Sequence, residues 1–143
     1  MSDDIPAGFT AFAHSSPVTD AWQPIYAMEQ EGVVALGLRI GAQHCNARGF
    51  LHGGVLAALA DNAMGLSYRA TLRHLDPEVS ASGVTLSLSV DYVAVGRQGA
   101  WLDIRPRVLK AGRTIGIIDT LIFADEEVIA RASATFKRTA PKP

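Results

Sequence analysis

One stretch of this sequence, residues 53–69, has the composition of a helix that is apolar on every side. Its larger apolar residues are spread around the helical wheel: Val55, Leu56, Leu59, Met64 and Leu66. Small residues lie between them: Ala57, Ala58, Ala60, Ala63 and Gly65. A helix with no polar face is typically buried. The chain must therefore fold so that other elements cover this helix.

After Pro77 the sequence changes to a period of two, which is the spacing of β-strands. Three stretches alternate in this way, and a fourth, residues 114–123, is uniformly apolar, as in a central strand; the three are 84–91, 102–108 and 128–137. A further strand is predicted at residues 33–40, after a turn at Glu31-Gly32. One half-polar face per strand indicates an antiparallel sheet covered on one side. The sequence thus predicts an α+β fold, a curved antiparallel sheet around one long buried helix.

The length of 143 residues suits a single domain, and the hydrophobic share of 48% is enough for a packed core. We expect residues 1–30, which contain three prolines and little periodicity, to form an irregular or partly helical lead-in. Residues 31–140 would then form the domain. The chain contains no repeat or linker that would suggest a second unit.

The net charge and the cysteine content indicate which partners and which cellular compartment to expect. The net charge is -1, which gives no reason to expect nucleic acid or an anionic membrane as the main partner. No apolar run approaches the ~20 residues that span a bilayer. Cys45 is the single cysteine, so no disulfide can form within the chain. We expect a soluble cytoplasmic protein.

Two glycines, Gly53 and Gly54, open the predicted helix. The N–H groups at a helix start are unpaired and carry a partial positive charge. Because glycine allows close approach, they could polarise a carbonyl oxygen that gains charge during acyl transfer. The alternative is that the pair forms only a tight turn into the helix.

Asp61 places a carboxylate among small and apolar neighbours of the same helix. Burial of this group would cost stability unless it has a task or is satisfied by hydrogen bonds, for example to Asn62 or to a neighbouring chain. Both interpretations remain open from the residues alone.

The segment as a whole carries a specific pattern, in which Asp61 follows the second glycine by seven residues: Asn46-x-x-Gly49-x-x-His52-Gly53-Gly54. This pattern resembles the signature of the PaaI-type (phenylacetate-degradation) branch of hotdog-fold thioesterases. The likeness continues through Thr85, Tyr92 and residues 109–114, and it covers roughly residues 32–137.

The resemblance implies roles for four residues in the hydrolysis of an acyl-CoA or aryl-CoA to a free acid and CoA. Asn46 and the Gly53 N–H would polarise the thioester carbonyl. Asp61 would act as nucleophile or general base, and Thr85 would help to position water. His52 also belongs to the candidate site, and we favour a hydrogen bond that holds the loop over proton transfer.

The coenzyme A part of the substrate would meet a second group of residues: Tyr92, Arg97, Lys110, Gly112 and Arg113. Lys110 and Arg113 flank a predicted hairpin turn and could bind phosphates. The alternative is that both are merely solvated charges. No metal or redox cofactor is implied, because the histidines and Cys45 lack metal-ligand spacing, and CoA belongs to the substrate.

Helix geometry also predicts a partner. Asp61 lies eight residues beyond Gly53, or ~12 Å along a helix, too far to meet a carbonyl held at the helix start. A two-fold axis would bring Asp61 of one chain to Gly53 of another, so we expect a homodimer with shared sites, and the family suggests a dimer of dimers. The alternatives to a thioesterase are a non-catalytic acyl-CoA-binding module and an acyl-thioester hydratase or dehydratase.

Overall fold

The computed structural model describes residues 4–78 and 81–139, which form one antiparallel sheet and one long helix. The strands are β1 (Thr10–Ala11), β2 (Tyr26–Gln30), β3 (Val33–Arg39), β4 (Ser82–Tyr92), β5 (Trp101–Ala111), β6 (Ile115–Ala124) and β7 (Glu127–Thr139). The helices are α1 (Pro17–Asp20) and α2 (Gly53–Leu75), with a 3-10 turn at Ala42–His44. The sheet order is β1-β2-β3-β5-β6-β7-β4. The predicted hotdog architecture is confirmed.

The core lies between α2 and the inner face of the sheet. Fully buried side chains of the helix, such as Leu59 and Met64, pack with Ile104, Ile118 and Ile122 of the central strands. The ring of Tyr68 packs directly against the backbone of β6 at Gly116. A side chain there would prevent this contact, because a Cβ at Gly116 would lie 2.5 Å from the ring. The outer face of β6 is only partly covered, with Ile117 and Leu121 exposed, whereas its inner face is buried.

Helix α2 ends at Leu75, six residues beyond the end expected near Arg69. Ala70 and Leu72 are buried in the last turns, so their packing against the core stabilises the helix beyond Arg69. The helix goes no further because Asp76, the residue before Pro77, has an extended backbone conformation.

The prediction of an irregular lead-in is wrong for part of its length. Residues 26–30 form β2, which pairs along its whole length with β3. Glu31 and Gly32 both have positive φ, as a two-residue type I′ hairpin requires, so the predicted turn is confirmed and no domain boundary falls there. The expected domain end at residue 140 lies outside the described residues.

The N-terminal segment crosses the outer face of the sheet at the β2–β3–β5 end. The ring of Phe9 packs edge-on against Trp101 with 5.4 Å between centroids, and Tyr26 and Met28 complete this small cluster. Among the described residues, the rest of the outer face holds the ion pairs Arg105–Asp103, Arg107–Asp119 and Arg131–Asp91.

Candidate active site

Asn46 begins a tight loop that leads into α2. Its N–H donates to the Phe50 carbonyl at 2.8 Å, and its carbonyl accepts from the Gly49 N–H at 2.9 Å. Gly49 has φ +80°, a conformation that favours glycine. The loop is closed by a bridge between Cys45 and Leu51. Asn46 is therefore held by a local fold that its own backbone helps to build.

The side chain of Asn46 has a fixed orientation. Its Oδ1 accepts from the N–H groups of Arg48, at 2.9 Å, and Phe50, at 3.2 Å. Because backbone N–H groups can only donate, the side-chain atom that faces them must be the oxygen. The amide NH₂ has no partner among the described residues, so it is free to donate to a substrate oxygen.

His44, which was not among the predicted site residues, anchors the base of this loop. It is fully buried; its Nδ1 accepts from the Gly41 N–H at 2.9 Å, and its Nε2 lies 2.9 Å from the Trp22 carbonyl. These partners place its proton on Nε2. Its own carbonyl accepts from the His52 N–H at 2.8 Å. A lone histidine in a loop carries no sequence signal for this role.

Among the described residues, the N–H groups of Gly53 and Val55 at the start of α2 have no partner. His52 occupies the N-cap position, and its Nδ1 accepts from the Gly54 N–H at 2.9 Å, which is the loop-holding type of bond expected for it. The Leu56 N–H donates to the His52 carbonyl at 3.0 Å. Within the described chain the Gly53 N–H has no partner. The geometry therefore suits an oxyanion donor as well as a helix start.

Asp61 lies on the flank of α2 that faces β4. It is half-buried, and the Thr85 hydroxyl donates to its Oδ1 at 2.8 Å. The carboxylate is thus less enclosed in this single chain than the apolar helix suggested, and its partner is Thr85 rather than Asn62. Its second oxygen remains available to accept a proton from water.

Arg97 lies beside the Asn46 loop. Phe50 and Arg97 are joined by a backbone bridge, and the guanidinium stacks over the Phe50 ring at 5.3 Å. Tyr92, which the resemblance predicts to face coenzyme A, donates its hydroxyl to the Gly53 carbonyl. Burial raises the pKa of Tyr92 above its ordinary value.

Lys110 lies near the end of β5, and Gly112 and Arg113 lie in the turn that connects β5 to β6; both cations are exposed. The Gly112 carbonyl accepts from the Tyr68 hydroxyl at 3.1 Å, which ties the turn to the middle of α2. In the described part of the chain, no hydrogen bond joins this turn to Asn46, Gly53 or Asp61.

The predicted residues therefore form separate groups within one chain. Asp61 and Thr85 make one group, while Asn46, His52 and Gly53 make another at the helix start. Two clefts, of about 790 and 370 Å³, contain none of them. Across residues 4–78 and 81–139, no cluster of His, Cys, Asp or Glu could hold a metal ion. Among those same residues, no helix has the length and apolarity needed to cross a membrane.

With this geometry in view, comparison with known proteins decides the family. Residues 48–139 match the thioesterase superfamily. The chain belongs to this superfamily. The match includes the helix start, Asp61, Thr85 and the β5–β6 turn, and it confirms the expected enzyme class.

Two relatives agree with this assignment. A candidate esterase of Pseudomonas aeruginosa is 33% identical over 134 residues, which are 93% of this chain and 96% of that protein. Acyl-coenzyme A thioesterase 13 of Homo sapiens is 31% identical over 106 residues, which are 73% of this thioesterase-superfamily chain and 71% of the human protein.

Solved structures show the same fold. The smu.793 protein of Streptococcus mutans, bound to acetyl CoA, is 26% identical with a TM-score of 0.71, over 82% of this chain and 90% of that one. The PaaI protein of E. coli superposes with a TM-score of 0.72 at 22% identity, over 82% of this chain and 81% of its own. The resemblance to PaaI-type hotdog proteins is confirmed at the level of the fold.

Proposed function

We propose that this protein hydrolyses an acyl-CoA or aryl-CoA thioester to a free carboxylic acid and CoA. The observation that carries the proposal is the Thr85–Asp61 hydrogen bond, which presents a carboxylate on the same helix whose first N–H is free. Superfamily membership and the human relative's name support the thioester class, and the acetyl CoA bound to the Streptococcus mutans protein supports coenzyme A as the leaving group.

The chemistry needs the thioester carbonyl to be polarised first. The Gly53 N–H and the Asn46 amide NH₂ are two donors without other partners in the described chain. Hydrogen bonds from both would stabilise the negative charge that develops on the carbonyl oxygen. Removal of one such donor typically costs about 100- to 1000-fold in turnover.

Asp61 then serves either as general base or as nucleophile. As a base, it takes a proton from water while the water oxygen bonds to the carbonyl carbon. As a nucleophile, it forms a mixed anhydride that water cleaves. On either route the carbon–sulfur bond breaks, and the sulfur leaves with the electron pair and becomes the CoA thiol on protonation. Thr85 holds Oδ1, so Oδ2 is the oxygen left for this work.

The site is completed between two chains. Asp61 and Gly53 are eight residues apart on one straight helix, roughly 12 Å, so neither can reach a carbonyl bound by the other in the same chain. Strand β4, which holds Asp61 through Thr85, has a strand neighbour on one side only. Antiparallel pairing of two such chains about a two-fold axis would place Asp61 near the partner subunit's helix start.

Coenzyme A would be held by exposed cations. Arg97 is next to the Asn46 loop, and Lys110 and Arg113 are at the β5–β6 turn. Arginine and lysine bind phosphate groups through charge-assisted hydrogen bonds. A dimer of dimers remains a prediction from the family.

Complementation tests the proposal. Asn46→Ala and Asp61→Asn should each release almost no thiol from a panel of acyl-CoAs. After the two variants are unfolded and refolded together, about half of the dimers should be hybrids, each with one intact site, so roughly a quarter of wild-type activity should return. Each variant refolded alone is the control. If mixing restores nothing, the shared site is wrong; if the wild-type protein binds acyl-CoA without releasing thiol, it is a binding module.

A further inference from the structure

Strand β4 meets the start of α2 through Tyr92. The Tyr92 hydroxyl donates to the Gly53 carbonyl, 39 residues away in sequence. The ring also lies against Gly53, since a Cβ built there would be 3.3 Å from the ring carbon that bears the hydroxyl. The phenol thus contacts the residue that supplies the free N–H.

This contact completes a clamp on one peptide unit. The Gly53 carbonyl and the Gly54 N–H belong to the same planar peptide group. The Gly54 N–H donates to His52 Nδ1, and the carbonyl accepts from Tyr92, so both ends of the unit are held. The preceding peptide unit consists of the His52 carbonyl and the Gly53 N–H. The His52 carbonyl accepts from the Leu56 N–H, whereas the Gly53 N–H has no partner among the described residues.

A clamp is needed because two adjacent glycines make a flexible helix start. Glycine loses more conformational freedom on folding than any other residue. A donor for a developing oxyanion is effective only when it is already in place before the reaction. A displacement of about 1 Å at a reacting group can cost roughly 100-fold in rate.

We propose that Tyr92 is a positioning residue rather than a contact for coenzyme A: by fixing the Gly53–Gly54 peptide unit it fixes the backbone of Gly53, so that the Gly53 N–H in the preceding unit points at the thioester carbonyl. This inference rests on the proposed hydrolysis. The hydroxyl is suited to the role, because a phenol keeps its proton at neutral pH, and partial burial raises the pKa of Tyr92 further.

Tyr92→Phe tests the inference, because it removes the hydroxyl and keeps the ring. We expect kcat to fall about 10-fold, less than on loss of an oxyanion donor itself, with KM and the affinity for free CoA within about two-fold of wild type. Tyr26→Phe, in the outer-face cluster, is the matched control and should change neither constant. A higher KM and weaker binding of free CoA, with kcat unchanged, would show Tyr92 to be a coenzyme contact and would overturn the inference.

A second readout does not depend on turnover. In protein labelled with ¹⁵N at glycine only, the Gly54 N–H should exchange with solvent faster in Tyr92→Phe than in wild type and in Tyr26→Phe. Unchanged exchange would overturn the clamp even if hydrolysis is established. Conversely, a wild-type protein that releases no thiol would end the proposed hydrolysis, while the exchange rates would still decide whether Tyr92 fixes this peptide.

Discussion

The two edges of the sheet are built differently. Strand β1 has two residues, and such short edges are a common way to prevent pairing with other chains. Strand β4 has eleven residues, and three of its apolar side chains are exposed: Val84 by 55%, Leu86 by 55% and Leu88 by 39%. One edge is closed to further strands, and the other is open and apolar.

The open edge is also the one that holds the candidate catalytic groups. Thr85 and Tyr92 both lie on β4, and they reach Asp61 and Gly53 of α2. None of the predicted site residues lies on β1 or β2. We interpret the long exposed edge as the surface where a second chain completes the site, so perturbations there should affect catalysis and equivalent ones at β1 should not.

The largest effect is expected from Asp61→Asn, which keeps the shape of the side chain and removes its charge. Turnover should fall by at least ~100-fold, the scale for loss of a positioned acid or base. The matched control is Asp20→Asn, the same change in α1 near the β1 edge, which should leave turnover unchanged. Thiol release from a substrate panel measures both. Near-normal turnover by a folded Asp61→Asn protein would remove Asp61 from the mechanism.

An intermediate effect is expected from a charge on the open edge. Leu86→Lys should raise the dissociation constant of the dimer by about 100-fold, since a charged edge resists pairing and a buried apolar contact is lost. Thr10→Lys places the same charge on β1 and should leave the dimer intact. Sedimentation over a range of concentrations, with activity measured in parallel, compares the two. If both variants assemble like the wild type, β4 is not the interface.

The smallest effect is expected at the β5–β6 turn, which belongs to neither edge. Replacing Lys110 and Arg113 together by Ala should raise KM for acyl-CoA about 5- to 10-fold at low salt, with kcat nearly constant, and the effect should shrink as salt screens the charges. Arg105→Ala with Arg107→Ala removes equal charge from the outer face of β5 as a control. An unchanged KM at low salt would mean that the two cations are only solvated.

The sequence indicates those features that local patterns determine. The buried helix, the period-two strands and the Glu31-Gly32 hairpin follow from residues that are neighbours in the chain. Strand β2 was missed because five residues, Tyr26–Gln30, hold too short an alternation to stand out after Pro24. The helix end was missed because burial of Ala70 and Leu72 depends on the sheet beneath them.

The candidate site shows the same division. The motif from Asn46 to Asp61 identifies the candidate residues, but their hydrogen-bond partners depend on tertiary contacts. The Thr85–Asp61 bond spans 24 residues and the Tyr92–Gly53 bond spans 39, so no local pattern could predict either. The orientation of the Asn46 amide likewise requires the folded loop, where two backbone donors select the oxygen.

Because β4 bonds to both Gly53 and Asp61 of α2 and would also form the interface, assembly and ligand affinity are thermodynamically linked in the proposed dimer. Any substrate that binds only the paired state must strengthen the pairing by the same factor by which pairing strengthens its own binding. Dilution would then lower activity by reducing the population of competent enzyme, and saturating substrate would restore it. An open strand edge would thus make the concentration of acyl-CoA a determinant of how much of the protein is assembled.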